Sequence, residues 1–461
     1  MAYSVIALQE LNLNYHYNPL YWNTACLTVN SGGIEDEEDL DNEDEEEDDK
    51  KKTRATNYGK VASAIGTIRQ RGVKVNLPDI NKAQFGFTPD IQNDSIVFGL
   101  KGLNGIGDEV VHLIMQHRPY NSFGDFLDRM FETGLVKKGQ IIQLIKAGCF
   151  DSFEDRIEIM KKFIKIVSEP KEKLTMQNFN MLMVNDLIPD KFNLEIRFFK
   201  YKNYISKNVL KTISKPKDKL LIIDDIASNF YSEHFSDDAV VDTHEGQLVV
   251  SENKFKKLYD KKMEEIKEWI SSEEALNSLN QKLLENEWDK YASGSISKWE
   301  MDSLSYYYNE HELAHVNKEK YGIANFFELP EEPIKGKPYT WRGRQMFEYE
   351  LTRLAGTVLD RNKTKHTISL LTPDGVVTVK MYSSKFSYYA KQISEKQGDK
   401  KVVIEKSWFT RGNLLMFTGY RRGNNFVVKT YKNSIYQNSV SLINKVDEEG
   451  NLYLTTERVN T

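Results

Sequence analysis

Apolar residues recur at helical spacing through the first part of the chain. Residues 1 to 30 carry such a pattern, which Pro19 interrupts because proline lacks the N–H that a helix interior needs. The segment YGKVASAIGTIRQRG repeats the pattern and ends at Gly72, and a short strand, VKV, and a proline turn follow it. From residue 96 to 153 the pattern is again helical, with glycines between its segments. The first third of the chain is therefore predicted to be mainly helical.

The periodicity changes after Tyr349 to short segments that are typical of β-strands. These segments are ELTRLAGTVLD, HTISLLT, VVTVKMY, KVVIEKSWF, NLLMFTGYRRG and NFVVKTY, with turn signals at residues 373 to 375, 411 to 413 and 422 to 425. They predict a small closed or nearly closed barrel. Residues 155 to 335 are less regular, with a strand at 220 to 224 and a long helical stretch over 253 to 318. The predicted fold class is multidomain α+β, a mainly helical part followed by a C-terminal β-barrel.

Charge is distributed unevenly along the chain. The net charge is −5, yet residues 35 to 49 contain thirteen acidic groups, so the remaining residues together carry +8. An acidic block repels itself and buries no apolar surface, which predicts a disordered loop over residues 32 to 52. The alternative is a nucleic-acid mimic that folds back onto a basic groove. The folded part of the chain is therefore basic.

Length and composition exclude several classes of protein. A chain of 461 residues exceeds one ordinary hydrophobic core, so about two to four domains are expected. No run approaches the roughly 18 apolar residues of a membrane helix, and the first residues lack the features of a secretory signal. Cys26 and Cys149 provide neither a disulfide framework nor a zinc ligand set. A cytoplasmic protein without membrane contact is expected.

Basic and aromatic residues occur together on the predicted barrel. The candidates for DNA contact there are Lys380, Tyr382, Trp408, Arg411, Arg421 and Arg422. Cations can follow a phosphate backbone while rings stack on bases, which is how sequence-tolerant single-strand binding works. Composition leaves an alternative equally open, in which half of the rings are core and the cations only solvate the surface.

A second candidate for DNA contact lies in the segment FGLKGLNGIGDEVV. Gly105 and Gly107 permit a tight turn before a helix that begins near Asp108, and the first turn of a helix presents free N–H groups that suit a phosphate. A phosphate contact of this kind is blind to base sequence. The pattern favours a helix–hairpin–helix that grips a DNA backbone, and the alternative is a packing element with a glycine turn.

Several segments, taken in their order along the chain, resemble one protein family. They are AYSVIALQELNLNYHYNP, IRQRGVKVNLPDIN, FGLKGLNGIGDEVV, FGDFLDRM, IIQLIKAGCFDSF and WEMDSLSYYYNEHEL. This order resembles the C-terminal half of the alpha subunit of bacterial DNA polymerase III, a C-family DNA polymerase. The resemblance covers residues 1 to 155 and 298 to 435. It implies the end of a fingers subdomain, a helix–hairpin–helix region and an OB-fold barrel, as parts of a nucleotidyltransferase that replicates DNA.

The resemblance assigns roles to individual residues. It implies that Arg69, Arg71 and Lys74 of the fingers bind the incoming nucleotide, and that Gly102, Gly105, Ile106 and Gly107 form the hairpin on the duplex. It implies a structural connector before the barrel, with Trp299, Glu300, Asp302, Leu304, Tyr307 and His311. The chain departs from the family pattern at Ser305, where glycine is preferred, in the acidic loop, and over residues 155 to 297.

The catalytic part of such a polymerase is not found in this chain. Phosphoryl transfer needs carboxylates that hold two metal ions, and in the family these lie in a palm that precedes the fingers. The segment Pro78 to Asn81 lacks a second carboxylate, and Asp224 and Asp225 are more simply explained as a solvated strand end. We therefore expect no catalytic residue and no metal site here. Mg²⁺ is expected in the assembled polymerase, bound by a partner chain that carries the palm.

Partners and domain boundaries complete the sequence-based predictions. DNA is the expected partner, as primer–template duplex and as single-stranded template, and the resemblance also implies a sliding clamp, for which segments 177 to 183 and 437 to 443 are weak candidates. A stand-alone single-strand-binding or repair scaffold protein is the alternative function. The predicted boundaries are 1–98 for the fingers remainder with its acidic loop, 99–155 for tandem helix–hairpin–helix DNA binding, 156–340 for a mostly helical connector, 341–435 for the OB-fold and 436–461 for a tail.

Overall fold

The structure is a computed structural model that describes residues 2–32, 58–216, 218–341, 343–397, 400–432 and 434–459. Almost all of the predicted acidic loop lies outside these residues. The chain forms two compact units, one of residues 1–160 together with 294–461 and the other of residues 161–293. We call them the outer unit and the inserted unit.

The helices of the described residues are α1 (Ala2–Tyr17), α2 (Pro19–Ser31), α3 (Tyr58–Gln70), α4 (Asp108–Gln116), α5 (Phe123–Phe126), α6 (Lys138–Lys146), α7 (Arg156–Val167), α8 (Phe179–Val184), α9 (Asn193–Asn208), α10 (Asp225–His234), α11 (Glu252–Lys262), α12 (Glu264–Ile270), α13 (Glu273–Tyr291), α14 (Ile296–Leu304), α15 (Lys318–Tyr321) and α16 (Ser383–Ala390). None of the helices in these ranges is both long and apolar enough to cross a membrane.

The strands fall into five sheets. They are β1 (Lys74–Asn76), β2 (Thr88–Asp90), β3 (Ser95–Val97), β4 (Lys211–Lys215), β5 (Asp218–Ile222), β6 (Val240–His244), β7 (Gln247–Ser251), β8 (Lys335–Trp341), β9 (Arg344–Tyr349), β10 (Thr352–Asn362), β11 (Thr367–Thr372), β12 (Gly375–Lys380), β13 (Ile393–Gln397), β14 (Lys400–Glu405), β15 (Leu414–Arg422), β16 (Asn425–Val428), β17 (Val440–Val446) and β18 (Leu452–Thr455).

The predicted N-terminal helices are confirmed, and their ends follow from residue type. Pro19 occupies the first turn of α2, where its missing N–H costs no hydrogen bond, and Gly32 ends that helix with a φ of +71°. α3 ends two residues before Gly72, which has a φ of +85°. α1 differs from the other two because its large apolar side chains are exposed to solvent.

The predicted barrel is confirmed as a closed sheet of five strands. β10, β11, β12, β16 and β15 pair in that order, and β15 pairs back onto β10. Inward-facing residues of these strands, such as Val379, Phe417 and Phe426, form a buried core. The strand predicted at 401 to 409 is real but lies outside the barrel, because β14 pairs with β13 as a separate ribbon. β17 and β18, within the predicted tail, extend the sheet beyond β15.

The inserted unit is less helical than the sequence pattern predicts. The predicted strand at 220 to 224 corresponds to β5, which belongs to a four-stranded antiparallel sheet of order β4, β5, β7 and β6. The helical stretch predicted over 253 to 318 consists of separate helices, α11, α12 and α13 in this unit and α14 in the outer unit, and residues 305 to 317 are not helical. The interruptions fall at residues such as Ser272 and Ser295, whose hydroxyls cap the next helix.

Candidate nucleic-acid interface

One face of the barrel brings basic and aromatic side chains together across three strands. Lys380 of β12 lies opposite Val427 of β16, which in turn lies opposite Tyr420 of β15. In the next row Arg422 lies opposite Asn425. These residues, with Met381 and Tyr382, line a groove of about 260 Å³, which we call the barrel groove. Residues that lie side by side in adjacent strands share one face of the sheet, so strand register alone assembles the groove.

Cations lie over rings throughout the barrel groove. The Arg422 guanidinium lies 5.5 Å from the Tyr420 ring and 5.3 Å from the ring of Tyr349, and Lys429 Nζ lies 5.5 Å from the Tyr382 ring. Tyr382 is 61% exposed, so a face of its ring is open to a ligand. Burial raises the pKa of the Tyr420 hydroxyl, which therefore stays neutral in ordinary buffers. Neutral rings beside free cations are the combination that single-stranded nucleic acid needs.

Polar side chains continue this surface beyond the groove. Lys380 and Asn425 also line a hollow of about 550 Å³, together with Asp360, Asn362, Lys365, Thr367, Ser369 and Thr378. The hollow crosses β10, β11, β12 and β16, so it extends the barrel groove along the sheet. One candidate cation, Lys380, therefore contributes to two adjacent depressions.

Two other candidates on the barrel are structural residues. Trp408 is 1% exposed, and its Nε1 donates to Glu405 at 2.6 Å. Arg421 lies opposite the buried Phe426, and its guanidinium donates to the carbonyl of Leu329 at 2.8 Å and pairs with Glu331 at 3.3 Å. Strand alternation requires this outcome, because Arg421 and Arg422 are adjacent and must point to opposite faces. Arg421 is therefore held by contacts within the protein, and its predicted contact with DNA stays a prediction.

Arg411 also lies away from the barrel groove. Its guanidinium stacks 4.5 Å from the ring of Tyr58 at the start of α3, and burial lowers its pKa. The Tyr58 hydroxyl in turn donates to the carbonyl of Leu103, just before the glycine hairpin. Arg411 therefore connects the barrel to α3 beside the hairpin.

The glycine hairpin has an exposed loop and a buried base. Gly105 has a φ of +75°, and a Cβ added at Gly107 would meet no atom within 4 Å. Both glycines are exposed, whereas Ile106 between them is 2% exposed and anchors the loop. Gly107 is the N-cap residue of α4, so its backbone and the first N–H groups of the helix meet at open surface. Asp108 in that first turn pairs with Lys101, which offsets a charge that would repel phosphate.

Gly102 has a packing role rather than a binding role. A Cβ at this position would approach the Phe98 ring to 2.8 Å and the Phe87 ring to 3.2 Å. The residue is buried, so it cannot present its backbone to DNA. Among the four predicted hairpin residues, only Gly105 and Gly107 offer an accessible backbone.

The predicted connector joins the hairpin region to the barrel. Glu300 is fully buried and accepts hydrogen bonds from the backbone N–H groups of Tyr308 and Asn309 at 2.9 and 3.0 Å and from Arg156 Nη1 at 3.3 Å. Burial raises the pKa of Glu300, and these donors act against that shift. Other members of the predicted connector set contact residues on either side of it. Asp302 pairs with Lys146 of α6 at 3.0 Å. On the barrel side, the Tyr307 hydroxyl lies 2.7 Å from Thr357 Oγ1 of β10, and His311 Nε2 lies 2.9 Å from the Leu371 carbonyl of β11.

The three predicted nucleotide-binding residues contact different neighbours. Arg69 donates to the carbonyls of Tyr307 and Tyr308. The guanidinium of Arg71 lies 5.1 Å from the ring of Tyr15 in α1, and Lys74 is exposed at the start of β1. Arg69 lines a cavity of about 280 Å³ beside the barrel, and neither of the other two residues lines it. Their joint role on a triphosphate stays a prediction.

Neither predicted clamp-binding segment is a free peptide. Phe179 and Leu182 of the first segment are fully buried in the core of the inserted unit. Val440 and Ile443 of the second segment are buried in the sheet of the barrel. Across the described ranges, no group of three or more His, Cys, Asp or Glu side chains is placed to hold a metal ion.

Sequence reasoning missed several residues beside the barrel groove, above all Tyr349 and Lys429. The Tyr349 ring lies 4.7 Å from that of Tyr420, and its N–H donates to the Tyr431 hydroxyl at 2.9 Å. The alternation of aromatic and basic residues in YTWRGRQMFEYE around a Gly turn was the available signal, because it is typical of a β-hairpin.

The chain is similar in sequence to known DNA polymerases and to a helix-hairpin-helix motif. A helix-hairpin-helix motif model matches residues 72–159. The chain is 64% identical over 459 residues to "Probable DNA polymerase YorL" of Bacillus subtilis (strain 168). The matching region covers 99% of this chain and 35% of that protein. The "DNA-directed DNA polymerase" of Bacillus phage SPbeta matches with the same identity and coverage. The chain is 28% identical over 179 residues to "DNA polymerase III subunit alpha" of Thermus aquaticus, 37% of this chain and 12% of that protein.

The chain thus spans about a third of the length of the two Bacillus relatives, and the helix–hairpin–helix match coincides with the exposed loop at Gly105 and Gly107. The similarity to alpha subunits confirms the resemblance seen in the sequence motifs. The chain is homologous to part of the DNA polymerase III alpha subunit and contains its helix–hairpin–helix region.

Proposed function

We propose that this chain holds DNA for a C-family DNA polymerase. In this proposal the hairpin at Gly105 and Gly107 contacts the backbone of the primer–template duplex, and the barrel groove holds the single-stranded template. The observation that carries the proposal is the barrel groove itself, in which Lys380, Tyr382 and Arg422 form an accessible surface of cations and rings. Homology to polymerases over 99% of the chain supports it.

The barrel groove is suited to contacts that ignore base sequence. Stacking of a base on an aromatic ring stabilises binding by about 1–3 kcal/mol, and every base has such a face. Arg422 and Lys429 provide charges for the phosphates beside those rings. A replicating enzyme must copy any template, so the absence of a base-specific requirement agrees with the proposed role.

The connector supports a coupled role for the two DNA contacts. Glu300, Asp302 and Tyr307 bond to the hairpin region on one side and to the barrel on the other, within the outer unit. The residues that form these bonds are buried or half-buried, so the connection is shielded from solvent. A rigid link of this kind holds a duplex-binding loop and a single-strand groove at one separation.

Polymerisation in this proposal needs a partner chain that carries the palm carboxylates and their Mg²⁺. The described residues do not fit a two-metal site, so we derive no catalytic step from them. The fingers residues Arg69, Arg71 and Lys74 would act on nucleotide only within that assembly, and a sliding clamp is a further proposed partner of the assembly.

α1 favours the polymerase over the stand-alone scaffold. Val5, Leu8 and Leu13 are between 50% and 65% exposed on a helix whose mean environment is solvent. Exposed apolar side chains in such number mark a surface that a further part of the protein or a partner covers. A single-strand-binding protein that acts alone has no need of such a helix, whereas a polymerase fragment that packs on a palm does.

Adjacent arginines provide a sharp test of the proposal. Arg422→Ala should weaken binding of labelled oligo(dT) and reduce the magnitude of the salt slope by about 0.7, the value for one lost phosphate contact on a single strand. Arg421→Ala removes the same charge one residue away, so it is the matched control and should change the slope much less. It should instead lower the stability of the barrel, because Arg421 donates to the half-buried carbonyl of Leu329.

Primer extension tests the enzymatic part. Extension is expected only when the chain is mixed with a palm-bearing chain, Mg²⁺ and the four nucleotides.

Two outcomes would contradict parts of the proposal. In the oligo(dT) binding experiment, equal salt slopes for the Arg421→Ala and Arg422→Ala proteins would remove the groove from the proposal. Retention of DNA with no extension in any mixture would instead favour the scaffold alternative.

A further inference from the structure

The ribbon formed by β8 and β9 is a separate two-stranded sheet of the outer unit. Among the described residues its strands pair only with each other, and residues 335 to 340 of β8 are all exposed. Tyr339 and Met346, which face each other across the strands, are each 40% exposed. An isolated two-stranded ribbon is only marginally stable in water, so an exposed one of this length needs a reason.

The composition of the ribbon is strongly basic. Residues 335 to 345, KGKPYTWRGRQ, contain four basic residues and no acidic one. Acidic residues are confined to the base of the ribbon, where Glu348 lies near the end of β9, Glu350 follows the strand, and Glu331 pairs with Arg421. Charge is therefore segregated along the ribbon, which indicates a polyanionic ligand along its length.

A continuous line of rings and cations connects the ribbon to the barrel groove. Lys335 Nζ lies 5.1 Å from the Phe347 ring. Two residues along β9, the Tyr349 ring lies 4.7 Å from Tyr420 and 5.3 Å from the Arg422 guanidinium. Residues two apart in a strand share a face, so Phe347 and Tyr349 lie on the side that leads to the groove.

We propose that the β8–β9 ribbon is a second binding element for single-stranded DNA, which lengthens the stretch of template held by the barrel groove. Lys335 and Lys337 contact phosphates, and Phe347, on the face that leads to the groove, stacks on a base. The ribbon has seven residues in β8, or about 23 Å at 3.3 Å per residue, which is long enough to contact several nucleotides. This inference rests on the proposed function of the groove and assigns a separate contact to a separate element.

Oligonucleotide length separates the two contacts experimentally. The full chain is titrated with fluorescent oligo(dT) of about 8 and about 24 nucleotides, because a barrel of this kind covers roughly 4–16. Lys335→Gln with Lys337→Gln should weaken binding of the longer oligonucleotide about tenfold at 0.15 M salt and change the shorter by twofold at most. The magnitude of the salt slope for the longer one should fall by about 1.4, for two lost phosphate contacts.

The chain offers a matched control on a second ribbon of the outer unit. Lys396 of β13 and Lys401 of β14 face each other across that ribbon, and both are exposed. Lys396→Gln with Lys401→Gln makes the same change of charge, so it measures how far the net charge of the protein alone alters DNA binding. This control should leave both oligonucleotides unaffected.

Each outcome decides between the groove and the ribbon. If the ribbon variant behaves like the control while Arg422→Ala weakens both lengths, the ribbon inference is overturned and the groove stands. If Arg422→Ala has no effect on either length, the proposed function of the groove fails. A loss of affinity for blunt duplex of about 24 base pairs that exceeds the loss for oligo(dT) would assign the ribbon to a duplex groove and overturn the single-strand inference, because a two-stranded ribbon also fits the major groove.

Discussion

Ser305 is strained, and its replacement by glycine should stabilise the protein. The residue ends α14 with a φ of +64°, in the left-handed region that favours glycine. Its side chain is fully buried, and its Oγ finds no hydrogen-bond partner among the described residues. The polymerase family prefers glycine at this position, which the backbone geometry now explains. Ser305→Gly therefore removes two unfavourable features at one site.

The expected gain follows from three opposing contributions. A left-handed conformation costs a residue with a Cβ about 1–2 kcal/mol, and a buried unpaired hydroxyl costs about 1–3 kcal/mol. Against these gains, glycine stabilises the unfolded chain by about 0.5–1 kcal/mol because it has more conformational entropy there. With each contribution taken at its lower limit, the net stabilisation is about 1.5 kcal/mol. Ser305→Ala keeps the strain and removes only the hydroxyl, so it separates the two contributions.

Hydrogen exchange measures this gain locally, which matters because the two units of the chain can unfold separately. Exchange of the amides in residues 300 to 310 should slow about tenfold in Ser305→Gly, since about 1.4 kcal/mol corresponds to a factor of ten. Ser305→Ala should give a smaller effect. Unchanged or faster exchange in Ser305→Gly would refute the assignment of strain at this residue.

Three further predictions concern the same outer unit. In Glu300→Gln the new side-chain NH2 group faces hydrogen-bond donors only. The free energy of opening of the backbone amides near residue 308 should therefore fall by about 3 kcal/mol, as measured by hydrogen exchange. The same change at the exposed Glu310 is the control and should have no effect. Burial lowers the pKa of His311 to about 4, below its value of about 6.5 in the unfolded chain. The neutral imidazole should therefore contribute up to about 3 kcal/mol to the free energy of unfolding above pH 6.5, and this contribution should be lost as the pH falls towards 4. That loss should be absent from urea titrations of His311→Gln, and an identical pH dependence would contradict it. A Cβ added at Gly107 meets no atom within 4 Å, so Gly107→Val should weaken duplex binding while the melting temperature stays constant. Unaltered duplex affinity would remove the hairpin contact.

The local pattern of the sequence was sufficient for much of the architecture. Pro19 and Gly72 mark the ends of helices for reasons that act within a few residues, and alternation of apolar positions identified the barrel strands. The order of short motifs identified the polymerase relationship without any one motif being decisive. These features depend on backbone chemistry and on contacts close in sequence, so they are legible in the chain.

Assignment of individual site residues needed the tertiary structure. Arg421 and Arg422 are indistinguishable by composition, and only the register of β15 with β16 decides which one faces solvent. Trp408, in the turn before β15, is buried in the core of the barrel, whereas Tyr382, just before α16, is exposed. The sequence by itself determined the elements and the kind of chemistry they carry. The tertiary structure decided which cations remain free, because burial and strand pairing arise from residues that are far apart in the chain.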